Sequence, residues 1–232
     1  MKYTNPWIAA AATLVCAASI LSAAPSPQVQ RPRLDGGGRF WVYRNGPTEP
    51  RMPFAPYGWM SDASNATRVI KMDLQCPDDP CTAIQPPTPE RPFCIRVTID
   101  WDDATWAGVA FISGPSDPPW WGDTRAGWHF DLSALPKKKL VFYARGAKGG
   151  EVIKVNIGGL GDKPYGDSLI NPITSQGLKL TPDWTRFELD LNSVPPSELT
   201  NICNGFSVLA KQASQPGAPA ETQFYLDNIY FE

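Results

Sequence analysis

The sequence predicts an all-β chain folded as a two-sheet antiparallel jelly-roll β-sandwich. Three observations carry that expectation. Short runs rich in aromatic and β-branched residues recur with a period of two, the spacing of a strand that buries one face. Turn-forming stretches separate them, with 25 Pro and 19 Gly among 232 residues, enough to cut the chain into many short elements. No stretch carries a long apolar stripe at helical spacing.

Residues 1–24 read as a secretory signal, with Lys2 as a basic start and an apolar, Ala-rich run from Trp7 to Leu21. That run is too short for a bilayer span, and small residues at Ser22-Ala23-Ala24 suit cleavage. The expected product is secreted or periplasmic, with no transmembrane segment in the mature protein. Residues 25–38 are small and Pro-rich and end in Asp35-Gly36-Gly37-Gly38, so a flexible lead-in is expected there. Residues 39–232 then form a single β-sandwich domain.

Arg39 to Tyr43 is the first strand expected within it. Cys94 to Trp101 alternates cleanly, with Ile95, Val97, Ile99 and Trp101 inward and Arg96, Thr98 and Asp100 outward. Trp106 to Ile112 is nearly unbroken apolar sequence, the pattern of a strand covered on both faces. Leu140 to Gly146 and Glu151 to Gly158 read as a hairpin across Ala147-Lys148-Gly149-Gly150. In Trp184 to Leu191, Phe187, Leu189 and Leu191 face in and Arg186, Glu188 and Asp190 face out. The last strand runs to Glu232, with Phe224, Leu226, Asn228 and Tyr230 on one face and Tyr225, Asp227, Ile229 and Phe231 on the other. An ionised Asp227 there must stay wet or be compensated by an Arg, by backbone donors or by a cation.

Charge narrows the function classes. The formal net charge is −2, and the one Lys cluster, Lys137 to Lys139, follows a Pro at a turn, so a nucleic-acid partner is not expected. One His, His129, lies between Trp128 and Phe130 and is read as a packed ring rather than a catalytic base. A glycosidase needs only two suitably spaced carboxylates. Asp62, Asp100, Asp102, Asp103, Asp117 and Asp123 keep a carbohydrate-active enzyme open as an alternative. After signal removal four cysteines remain, an even number that suits two disulfides. The tight Pro/Asp turn from Cys76 to Cys81 suits one bridge, which leaves Cys94 with Cys203.

Aromatic loops point to a ligand. A sugar ring presents axial C–H bonds on one face, and an indole is a flat apolar platform for them. Trp120 and Trp121 stand between Pro119 and Gly122, with Asp117 and Asp123 alongside to accept hydrogen bonds from hydroxyls. Trp59, in a Gly-Trp-Met turn beside Asp62, is a further candidate. Arg145, opposite the apolar face of its strand, reaches either sugar hydroxyls or Asp227. Trp101, Trp106 and Trp184 are assigned to the core.

Several stretches, in order, resemble the galactose-binding-like β-sandwiches, which include many carbohydrate-binding modules of exported bacterial proteins. They are Tyr57-Gly58-Trp59-Met60-Ser61-Asp62, Cys94 to Thr98, Trp106 to Val109, Phe130 to Ser133, Leu140 to Gly146, Leu180 to Thr185, and the terminal Tyr225-Leu226-Asp227-Asn228-Ile229. The resemblance implies a non-catalytic protein that recognises a polysaccharide or oligosaccharide. It also implies a structural calcium held by Asp227, with Asn45 where the family's acidic partner usually stands. An interaction module without a glycan ligand is the third reading.

Overall fold

The computed structural model describes residues 28–44, 53–77, 93–113, 128–162 and 165–232, with the side chains of residues 28, 57–59, 75 and 128 left aside. In chain order the strands are β1 Gln28–Gln30, β2 Phe40–Tyr43, β3 Phe54–Ser61, β4 Ile70–Cys76, β5 Cys94–Asp100, β6 Trp106–Ser113 and β7 Trp128–Phe130. They continue with β8 Lys139–Gly146, β9 Val152–Ile157, β10 Ile173–Thr174, β11 Leu178–Lys179, β12 Thr185–Asp190, β13 Asn204–Lys211 and β14 Glu221–Phe231. One helical turn, Ala66–Val69, precedes β4, with the Asn65 side chain capping it.

Two antiparallel sheets form the sandwich. The back sheet runs β10-β9-β13-β6-β3, with β11 also on β9. The front sheet runs β12-β8-β14-β5-β4, with β2 paired to the far end of β14. Period-two alternation builds the core between them: Phe142, Leu140, Phe224, Ile95, Val97 and Ile99 face inward from the front sheet. From the back sheet they meet Val109, Phe111, Ile153, Val155, Phe206 and Val208. Each such side chain contributes about 1.5–3 kcal/mol by leaving water. Trp101 joins them, its indole N–H donating to Thr222 Oγ1 at 2.8 Å, which removes the cost of burying that donor.

Three expectations are corrected. First, β8 and β9 are not a hairpin. β8 pairs with β12 and β14 in the front sheet, whereas β9 pairs with β13 in the back sheet. Their alternating patterns are satisfied by facing one core from opposite sides, and the Gly149-Gly150 pair, at φ +83° and +96°, turns the chain between the sheets. At Gly149 a Cβ would lie 2.7 Å from Pro182 Cδ, so only glycine fits.

Second, the described part of the lead-in contains a strand. β1 pairs in parallel with β7, and Asp35 accepts from the N–H groups of Gly37 and Arg39 and from the Trp41 indole, at 2.8, 2.9 and 2.9 Å. Third, the terminal strand, which lies between β8 and β5, changes face part-way. A bulge between Asp227 and Tyr230 shifts the register on β8, with Asn228 at φ +48°. Asn is among the few residues that tolerate this conformation. Phe224 and Leu226, then Ile229 and Phe231, therefore all reach the core, while Tyr225, Asp227 and Tyr230 point outward.

His129 is 1% exposed and its Nε2–H donates to the Tyr165 carbonyl. Burial pushes its pKa below the ordinary 6.5, against the opposing effects of the Tyr165 bond and the Asp167 charge. The unfolded chain then takes up a proton before the folded one does, so stability falls as pH drops below 6.5 and levels off once the folded ring titrates. Urea midpoints measured from about pH 7 down to about pH 5 should show this decline, and His129→Gln should flatten it.

Candidate functional site

The outer face of the front sheet carries a row of polar and aromatic side chains that strand register alone places in line. Asp73 on β4 pairs with Arg96 on β5, Arg96 with Tyr225 on β14, and Tyr225 with Arg145 on β8. Trp184, just ahead of β12, extends the row past Arg145. Three strand-to-strand steps of about 4.8 Å separate Asp73 from Arg145, about 14 Å in all.

The row is stiffened from within. The Arg145 guanidinium lies 3.9 Å from the Tyr225 ring centroid and 5.6 Å from that of Trp184, within cation–π range of both rings. Arg96 pairs with Asp73 at 3.1 Å. Tyr225 donates to Gln223 Oε1 at 3.1 Å, and Gln223 donates in turn to Thr98 Oγ1, also at 3.1 Å. Trp184 is half-buried and Tyr225 is 7% exposed, so the indole is the prominent ring.

A second aromatic group lies along the same face. Trp41 on β2 pairs with Tyr230, and their ring centroids are 5.0 Å apart. Arg39 and Arg44 stack on Trp41 at 5.7 and 5.2 Å. The bond from the Trp41 indole to Asp35 fixes the ring. Burial would raise the Asp35 pKa, but the bonds from Arg39, Trp41 and Gly37 more than offset it and hold the carboxylate below its ordinary range. Charged residues rim the β12 edge. Glu188 accepts from Lys139 at 3.0 Å and from Arg186, and both bonds lower its pKa.

The sequence profile of carbohydrate binding domain 30 matches residues 95–232. The chain belongs to carbohydrate-binding family 30. The matched stretch contains β5, β8, β12 and β14 and therefore most of the front sheet. Solved structures that match the chain include a family 30 carbohydrate-binding module that is 16% identical, with a TM-score of 0.44 over 77% of this chain and 94% of that one. A family 30 module of a cellulosomal cellulase of Clostridium thermocellum is 18% identical, with a TM-score of 0.41 over 77% and 92%. A family 11 module of another cellulosomal cellulase of that organism is 12% identical, with a TM-score of 0.39 over 80% and 91%. No curated protein matches the chain.

As a family 30 module the chain is a carbohydrate-binding β-sandwich, and its expected site residues fall in several places. Arg145 lies at the centre of the front-sheet row. Trp59 lies in β3 of the back sheet, where its backbone pairs with Val109, so it belongs to a different sheet from Arg145. Asp62 is engaged in structure: it accepts from Thr105 N at 2.9 Å, from the Thr105 hydroxyl and from Trp106 N at 3.3 Å. These bonds, the Thr105 hydroxyl foremost, lower its pKa, and they tie the end of β3 to the turn before β6. Asp117, Trp120, Trp121 and Asp123 lie outside the described residues.

Asp227 is buried, at 1% exposure, and its Oδ1 accepts from Asn228 N at 2.7 Å. Calcium takes six to eight oxygen ligands. Among the described residues no group of three or more His, Cys, Asp or Glu side chains is placed to hold a metal. Asn45 lies outside them.

The expected Cys94–Cys203 bridge is corrected. Cys94 packs in a cluster on the outer face of the front sheet and Cys203 in one on the outer face of the back sheet. Stacked sheets lie about 10 Å apart, beyond the roughly 7 Å limit between the Cα atoms of a disulfide. Cys81 lies outside the described residues.

Trp41, Trp184, Tyr225 and Tyr230 were missed as site residues, although parity would have found two of them. Trp184 shares its face with the outward Arg186 and Glu188, and Tyr225 shares its face with Asp227. Trp106, also assigned to the core, is half-buried on the back sheet beside a depression of about 210 Å³ lined by Leu209, Lys154, Asn156 and Lys211. That hollow has one indole and two lysines and lacks the aligned rings of the front sheet.

Proposed function

We propose that the outer face of the front sheet is the glycan-binding surface of an exported, non-catalytic module, with residues 1–24 directing export. The observation that carries this reading is the guanidinium of Arg145 held between Tyr225 and Trp184 in a row that crosses the sheet. The indole offers an apolar plane to the C–H face of a pyranose ring. Arg145 and Arg96 donate to ring hydroxyls, and Asp73 accepts from them.

The row suits a short run of linked sugar rings laid across the strands. Arg39, Arg44, Arg96, Lys139, Arg145 and Arg186 on this face are interspersed with Asp35, Asp73, Glu188 and Asp227, a mixture of signs that favours a neutral polysaccharide over a polyanion. The test is affinity electrophoresis of the exported protein through gels containing neutral or acidic plant, algal and bacterial polysaccharides. Retardation by at least one neutral polysaccharide, without release of reducing sugar, is expected. Retardation by acidic polysaccharides alone would contradict the ligand class, and hydrolysis of the retained polysaccharide would contradict the non-catalytic role.

A further inference from the structure

The two cysteines of the front sheet face each other directly. Cys76, the last residue of the edge strand β4, is the register partner of Cys94, the first residue of β5. Register partners in an antiparallel pair have Cα atoms about 4.5–5.5 Å apart, inside the roughly 4.4–6.8 Å that a disulfide spans. The Cys94 Sγ lies 3.4 Å from the Cys76 carbonyl oxygen, so it already leans toward that residue. Both side chains are 0% exposed and pack with Tyr225, with Ala147 and Trp184 against the cluster.

We infer that Cys76 and Cys94 are joined by a cross-strand disulfide in the mature protein. Each thiol gives up a proton, and the pair gives up two electrons to the disulfide of a thiol–disulfide exchange oxidant, whose own S–S bond becomes two thiols. The bond would clamp the edge strand at the point where the chain leaves it for residues 78–92, and edge strands are where a sheet most needs such fixing. It would also sit directly beside Tyr225.

Burial, reinforced by Cys76 and by the charge of Asp227, pushes the Cys94 thiol far up. A buried thiol with little thiolate reacts slowly, so the bond is made while the chain folds and resists reductant once it has folded. Cys203 is likewise held as a thiol by burial next to Asp167, on the other sheet.

The test is peptide mapping, without reduction, of the full chain produced in an oxidising compartment. The expected result is a cross-linked peptide pair containing Cys76 and Cys94, about 2 Da lighter than its two thiol forms. The Cys16→Ala/Cys81→Ala/Cys203→Ala variant should fold and show the same cross-link, which dithiothreitol opens only after urea is added. A Cys76–Cys81 or Cys94–Cys203 pair in the unaltered chain would overturn the inference. So would two thiols at positions 76 and 94 in a folded variant.

Discussion

Replacing Phe142 with alanine should destabilise the module by about 3–5 kcal/mol, the range for a large aromatic removed from a close-packed core. Phe142 is 0% exposed and ties both sheets together. Its ring stacks on Phe187 of the neighbouring strand at 5.4 Å and meets Phe206 of the back sheet edge-on at 5.5 Å. Alanine leaves a cavity that neither ring can fill, because each is pinned by its own strand. Urea unfolding should show a lower midpoint with an unchanged slope. Phe142→Leu, which keeps most of the volume, should cost about 1 kcal/mol. An alanine variant as stable as the original would mean that the sheets do not meet at this ring.

The two-sheet architecture was legible because alternation is a direct imprint of a half-buried strand. Ile95, Val97 and Ile99, or Phe187 and Leu189, can face a core in only one way. What alternation does not encode is which sheet a strand joins. A hairpin and a crossing between sheets both need a glycine-rich turn, so β8 and β9 looked like neighbours although they lie on opposite layers. The bulge at Asn228 was equally silent: a strict period of two sent Ile229 and Phe231 outward, whereas one extra residue returns them to the core. The residue type alone was the available clue, since Asn is among the few that tolerate a positive φ.

The site was legible only in part, for a related reason. Arg145 could be placed on the outer face because its strand has a clear apolar face for it to oppose. Trp184 was assigned to the core because it stands at a strand start, yet its parity with Arg186 and Glu188 puts it on the outer face. The row itself depends on register between strands far apart in sequence. Asp73, Arg96, Tyr225, Arg145 and Trp184 come from five separate segments, and no local pattern brings them together.

Trp184→Ala should weaken polysaccharide binding by about 10–100-fold, the loss of about 1.4–2.7 kcal/mol that a central aromatic anchor commonly carries. Arg145→Lys should lose affinity too, because an ammonium keeps the charge but not the planar stack on Tyr225 and Trp184. Neither change removes a fully buried side chain, so urea midpoints should stay close to the original. Trp106→Ala is the control, since it removes another half-buried indole, from the back sheet. The most direct measurement is isothermal titration of the original protein, Trp184→Ala and Trp106→Ala with one polysaccharide that the original protein retains. Binding lost with Trp184→Ala and kept with Trp106→Ala is the predicted result; the reverse pattern would contradict a glycan site on the front sheet.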